Sequence, residues 1–167
     1  MASIRVRQAH DGDRAALAAL HEREWGGPVV VVHDTRYDLR DLPTFVAIDD
    51  SGTFAGALAY RVDADGLEVV SLAASAPGAG AGTALLAAAE EAATAAAADR
   101  IWLVTTNDNL GALRFYQRRG LRIVAVDAGA VDRARAVKPT IPRVGADGIP
   151  LHDELRLARH LTGADQR

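Results

Sequence analysis

The chain contains no cysteine. That excludes disulfides, a protein thiolate nucleophile and Cys-ligated zinc, and it fits a reducing compartment. An excess of positive charge is missing too: 19 Lys and Arg stand against 22 Asp and Glu, for a formal net charge of −3. Such a balance offers no broad basic field for nucleic acid or an anionic membrane. No run is apolar enough to span a bilayer, since the alanine-rich stretch 84–98 carries Glu90 and Glu91, and residues 1–8 are too polar for a secretory signal. The expected location is therefore cytoplasmic. The histidines, His10, His21, His33, His152 and His160, show no close metal-ligand spacing, and no metal is expected.

What is present suits one domain over residues 1–167, since single domains typically hold roughly 100 to 200 residues. Alternation around Ile4 and Val6 predicts a first strand, and Leu17 and Leu20 suit a helix over 15–24. Trp25-Gly26-Gly27-Pro28 breaks that helix, 29–32 is a short β-branched run, and 33–43 reads as a loop. Strands at 44–48, 54–62 and 67–73, joined by hairpin-length turns, predict an antiparallel meander. A helix at about 83–98, a strand at 101–105, a helix at 109–119 ended by Gly120 and a strand at 121–126 follow. Beyond lies a long stretch, 127–150, with a short helix expected at 131–137, and 153–161 fits either a strand or a helix.

Between the meander and the first of these later helices stands Ser-Ala-Pro-Gly-Ala-Gly-Ala-Gly-Thr, starting at Ser75. A nucleoside-triphosphate loop needs a lysine to reach the terminal phosphates, and no lysine follows here. A dinucleotide fingerprint needs a third glycine where Thr83 stands, and parallel strands where the meander lies. The general physics survives: glycines let backbone approach a diphosphate, and a helix N-terminus presents unpaired N–H groups and a positive dipole end. A tight strand-to-helix connection without a ligand is the plainer alternative.

Residues 109–121, Asn-Leu-Gly-Ala-Leu-Arg-Phe-Tyr-Gln-Arg-Arg-Gly-Leu, decide between them. With 78–86 they resemble the GNAT family of N-acetyltransferases, whose second segment reads roughly N-x-x-A-x-x-x-[YF]-x-x-x-G-[FL]. The stretches from Leu103 to Gly120 and from Lys138 to Glu154 resemble a bacterial subgroup of that family. The resemblance implies an α/β (α+β) fold with a mixed, mostly antiparallel central sheet flanked by helices and a splayed pair of central strands. It implies acetyl-CoA as co-substrate and transfer to a primary amine by direct attack in a ternary complex. The acceptor would be an amine-bearing small molecule rather than a protein, and a homodimer is a frequent arrangement among similar proteins.

Residue roles follow from the same resemblance. Backbone at Leu72 and Ala73 would hold pantetheine and the acetyl carbonyl, and Gly78, Ala79, Gly80, Ala81, Gly82 and Thr83 would cradle the pyrophosphate. Asn109 would touch the pantetheine arm or cap its helix. Tyr116 would protonate the departing thiolate, or else pack the helix on the sheet. Glu68 would deprotonate the amine directly or through water, with ordered water alone as the alternative; on a regular strand it shares a face with Val70 and Leu72 and either points into the cleft or sits exposed at the strand's start. His33 and His152 are secondary candidates for base or substrate contact. Pro77 and Ala79 depart from the family's pattern, because proline has no N–H and alanine no charge. Arg114, Arg118 or Arg119 could compensate, although cations in a helix's last turn also suit its dipole. The same departure keeps open a catalytically impaired coenzyme A-binding sensor or assembly module. The stretch 127–150 would line the acceptor cleft and offer Arg133, Arg135 and Lys138 to an acidic group, or form a surface or dimer contact.

Overall fold

The computed structural model describes residues 3–161, and the outermost residues of the expected 1–167 domain lie outside the described ones. Strand β1 (Arg5–Gln8) leads into α1 (Arg14–Trp25), then β2 (Val29–Val32) and β3 (Thr35–Asp38). The meander is β4 (Thr44–Ile48), β5 (Phe54–Asp63) and β6 (Gly66–Ala74). It is followed by α2 (Ala81–Ala95), β7 (Arg100–Thr106), α3 (Leu110–Arg118), β8 (Arg122–Asp127), α4 (Ala130–Val137) and β9 (Glu154–His160). Seven strands form one sheet in the order β1-β4-β5-β6-β7-β9-β8, in which β6 and β7 are the parallel neighbours. A parallel pair needs a crossover, and α2 supplies it. Among the described residues no helix is long and apolar enough to cross a membrane.

Each face of the sheet is covered by a different set of small and branched side chains. Ala81, Leu85, Leu86, Ala89 and Ala93 recur at helical spacing along α2 and pack on Leu58, Leu67, Ile101 and Leu103. The alanines let the helix lie close to the sheet, and burying a leucine such as Leu85 contributes roughly 1.5–3 kcal/mol. On the opposite face, Leu20 of α1 packs on Val46, Ala57 and Ala73, while Val30 and Leu39 pack on Ala59 and Val70.

Three expectations change. The supposed loop 33–43 contains β3, which pairs antiparallel with β2 through a two-residue turn at His33-Asp34. Both turn residues have positive φ, 40° and 61°. Such hairpin turns normally take Asn or Gly, so the pattern carried no hairpin signal. Second, α2 begins at Ala81, two residues earlier than read, because Gly80 adopts the left-handed conformation (φ 90°) and turns the chain into the helix. Third, Glu68 and Leu72 do not share a face. Tyr60 pairs with Val69 and Ala59 with Ser71, so Val70 is a bulge without an opposite residue. A bulge inverts the alternation beyond it: Val70 packs under the β2–β3 hairpin, whereas Leu72 packs against the α2 core. The segment 153–161, open between helix and strand, is β9, paired with both β7 and β8.

The N-terminal turn is held by Asp13, whose carboxylate accepts from Arg7 at 2.7 and 3.0 Å and from the His10 backbone N–H at 2.8 Å. The Arg7 hydrogen bonds, opposed by burial, hold the Asp13 carboxyl down at about 2. A carboxyl depressed on folding adds stability above its unfolded value, and that stability is lost as pH falls through the folded one. Asp13→Asn is expected to cost about 1 kcal/mol at neutral pH after allowing for solvent screening. Urea unfolding from pH 7 down to pH 2 should show the difference between the two proteins shrinking between about pH 4 and pH 2.

Candidate active site

The site begins where two strands part. β6 and β7 pair only at Leu67–Ile101, Glu68–Trp102 and Val69–Leu103. Beyond these residues β7 stays with β9 along its whole length, and β6 stays with β5. The edge of β6 from Val70 onward is thus left without a partner strand on one side. A cleft of about 740 Å³ occupies the gap, lined by Val70, Ser71 and Leu72 from one strand and Val104, Thr105 and Thr106 from the other.

Of the residues expected to bind a coenzyme, Leu72 lines the cleft. The Ala73 side chain faces away, packed with Val46 and Ala57. Residues Gly78, Ala79 and Gly80 form an exposed turn leading from β6 into α2. Ala81, Gly82 and Thr83 form the first turn of α2, whose N-cap Gly80 provides no side-chain hydrogen bond. Gly82 has a packing role as well: a Cβ there would lie 3.2 Å from two ring carbons of Phe115, so its lack of a side chain lets α2 and α3 approach. Asn109 caps α3, its Oδ1 accepting from the Ala112 N–H at 3.2 Å, and it also lines the cleft.

Arg119 does more than end its helix. Its guanidinium stacks on Phe115 with 3.7 Å to the ring centre and donates to Thr83 Oγ1 at 2.6 and 3.2 Å. A cation is thereby held against the positive end of α2, where the dipole repels it and an anion would relieve both. Arg114 and Arg118 are exposed.

Tyr116 lies in the last turn of α3, 7% exposed, and lines the cleft. Its hydroxyl has no hydrogen-bond partner among the described residues, and burial pushes the phenol well above its ordinary value. A phenol held in this way stays protonated at neutral pH.

Glu68 is 2% exposed and does not line the cleft. His33 Nε2 lies 2.7 Å from one of its oxygens, Tyr37 donates to the other at 3.1 Å, and Arg61 approaches to 3.6 Å. Burial and the Glu68 charge push the Tyr37 phenol up to about 12. This buried network pins the β2–β3 hairpin to β6. The structure thus joins two sequence candidates, Glu68 and His33, and separates the third: His152 pairs with Asp132 at the surface.

The stretch 127–150 does form a wall of the cleft, through Val131, Ala134, Lys138 and Ile141. The three cations expected to meet an acidic group, Arg133, Arg135 and Lys138, are engaged within the protein instead. Arg133 binds Asp34 and Asp127, and Arg135 binds Asp132 and the carbonyls of Ile141, Pro142 and Leu151. Lys138 donates to the Trp25 and Val29 carbonyls, each at 2.7 Å, and burial pushes its ammonium below the usual value.

Several residues have roles the sequence did not assign, among them Asn107 and Asp108, which in the sequence compete with Asn109 for the α3 cap. Asn107 accepts from the His152 and Asp153 backbone and donates to the Pro150 carbonyl, and Asp108 accepts from Thr106 and Ala146. Together they fasten the 127–150 wall to the end of β7. Glu154 lines the cleft and accepts from the His33 N–H at 3.0 Å. Its only sequence signal was its place at the end of the segment from Lys138 that resembled the subgroup. Among the described residues no group of three His, Asp or Glu side chains is arranged to hold a metal ion.

A mixed sheet splayed beside a helix N-terminus, with a tyrosine at the splay, defines an acyltransferase of the GNAT type, and the family model described as the Acetyltransferase (GNAT) family matches residues 11–121. The chain belongs to that family. It is similar to two uncharacterised Bacillus subtilis (strain 168) proteins. YdhI is 39% identical over 143 residues, 86% of this chain and 89% of that protein, and YxbD is 37% identical over 145 residues, 87% and 91%. A Bacillus subtilis acetyltransferase solved in complex with CoA shares the fold at a TM-score of 0.70 and 21% identity, covering 95% of this chain and 99% of that one.

Glu68→Gln keeps the side chain's shape but removes the charge that His33, Tyr37 and Arg61 surround. We expect it to lower the unfolding free energy by about 2 kcal/mol. Urea unfolding followed by tryptophan fluorescence measures this, with Trp102 reporting directly because its ring centre lies 5.4 Å from that of His33.

Proposed function

We propose that this chain is an acetyl-CoA-dependent N-acetyltransferase in which a primary amine of a small-molecule acceptor attacks the thioester directly in a ternary complex. The observation that carries the reading is the convergence of the unpaired β6 edge and Tyr116 on one cleft. The fold shared with a CoA-bound acetyltransferase supports it.

Each chemical requirement has a group to meet it. Backbone groups of β6 near Leu72 and Ala73 hold the pantetheine and polarise the acetyl carbonyl. The amides from Gly78 to Thr83 at the start of α2 receive the pyrophosphate. Arg119 supplies there the positive charge that Pro77 and Ala79 lack. Asn109 combines its capping role with a place beside the pantetheine arm. As the amine nitrogen bonds to the acetyl carbon, the carbon–sulfur bond breaks, Tyr116 gives its proton to the thiolate, and the amine proton passes to water. Burial keeps Tyr116 protonated until a thiolate forms beside it. Glu68 is a positioning residue in this scheme: it holds His33 and the hairpin, and does not reach the amine itself.

Isothermal titration with acetyl-CoA tests the donor half, and absence of binding at millimolar ligand would refute it. Arg119→Ala is expected to weaken acetyl-CoA binding about tenfold. Tyr116→Phe is expected to lower kcat about 100-fold while leaving the acetyl-CoA Kd within about threefold. Binding without turnover of any amine would favour the coenzyme A-binding module instead.

A further inference from the structure

The acceptor's chemistry can be read from what lines the cleft beyond Tyr116, granted the acetyl-transfer reading above. Apolar side chains line one part of the cleft, Trp25, Val31, Val131, Ile141, Pro142 and Leu151, beside polar groups such as Ser71 and Thr105. Four charged residues also line it, Glu24, Asp108, Lys138 and Glu154. Three are already occupied. Exposed Glu24 pairs with Arg23, Asp108 has one oxygen on Thr106 and the other on the Ala146 N–H, and the Lys138 ammonium sits on two backbone carbonyls.

Glu154 is different. It is 4% exposed, and its side-chain partner is the backbone N–H of His33, shared between its two oxygens at 3.0 and 3.3 Å. No lysine or arginine among the described residues forms an ion pair with it. A carboxylate has about four acceptor sites, and leaving a buried one largely unanswered is costly. Burial pushes the Glu154 carboxyl above its usual range, opposed by the His33 N–H and the nearby His33 ring and aided by the charges of Asp127 and Asp34.

We propose that the acceptor is a primary amine carried on an apolar aliphatic or aromatic body without an acidic group, and that Glu154 pairs with its ammonium on binding, before one ammonium proton passes to water and frees the nitrogen to attack. The apolar wall removes the body from water, and the carboxylate orients the nitrogen. A carboxylate or phosphate on the acceptor would meet no available cation and would face Glu154 and Asp108.

The test uses matched pairs that differ by one carboxylate: phenethylamine against phenylalanine, and pentylamine against 6-aminohexanoic acid. Released CoA thiol is read with DTNB, which sees no protein thiol because the chain has no cysteine. The plain amines are expected to exceed their acidic counterparts at least about tenfold in kcat/KM. Glu154→Gln retains an oxygen for the His33 N–H and removes the charge. It should raise KM for phenethylamine about tenfold, with kcat and the acetyl-CoA Kd within about threefold. Acidic partners used as well as the plain amines would overturn the proposal, as would a KM unmoved in Glu154→Gln. Acetyl-CoA binding with no plain amine consumed would overturn it while sparing the donor site. Failure to bind acetyl-CoA would remove the underlying acetyl-transfer reading along with it.

Discussion

Three residue pairs join β6 to β7, and the chemistry of this protein depends on their being no more. A fully zipped parallel pair would spend the β6 edge on β7. Here β7 is held by seven pairs to β9, and β6 is held on its other side by β5, so the two strands are drawn apart beyond Val69. The Val70 bulge adds local bend and sends Leu72 to the opposite face from Val70. From one divergence come a backbone edge able to meet a thioester, a cleft reaching through the sheet, and an α3 wall on which Tyr116 can face it.

The acceptor side is built by a different means. A hairpin whose turn residues both have positive φ is laid across the sheet, at a conformational cost of about 1–2 kcal/mol per residue. Long-range polar contacts hold it there: His33 to Glu68 through the ring, His33 to Glu154 through the backbone, and Asp34 to Arg133. The segment after β8 closes the other wall with arginines and a lysine whose charges are taken up by carbonyls and nearby carboxylates. The charges of Arg133, Arg135 and Lys138 therefore serve architecture, and Glu154 is a buried carboxylate that lines the cleft without a lysine or arginine partner among the described residues.

The parts legible in the sequence were those whose causes lie close together along the chain. Asn109, Ala112, Phe115, Tyr116 and Gly120 are spaced as one helix requires, and the alternating strands of the meander announce themselves. The hairpin at His33 was hidden because its turn carries neither Asn nor Gly, and its stabilising partners lie 35 and 121 residues away. Lys138 looked available for a substrate acid because nothing local competes for it, yet it binds carbonyls more than 100 residues distant. Glu68 stood open in the sequence between facing the cleft and lying exposed at the start of its strand, and burial under a distant hairpin decided for neither, while the bulge beyond it altered which neighbours share its face.

The sequence by itself determined the family and its mixed sheet, through motifs that resemble it, and the placement of Tyr116 and Asn109 on α3, because helix period and capping are local properties. Only the tertiary structure decided that Glu68 is an internal anchor, that Arg119 reaches the start of α2, and that Glu154 is the carboxylate left facing the cleft. Those outcomes rest on burial and on which charges find partners, and both are settled when distant segments pack.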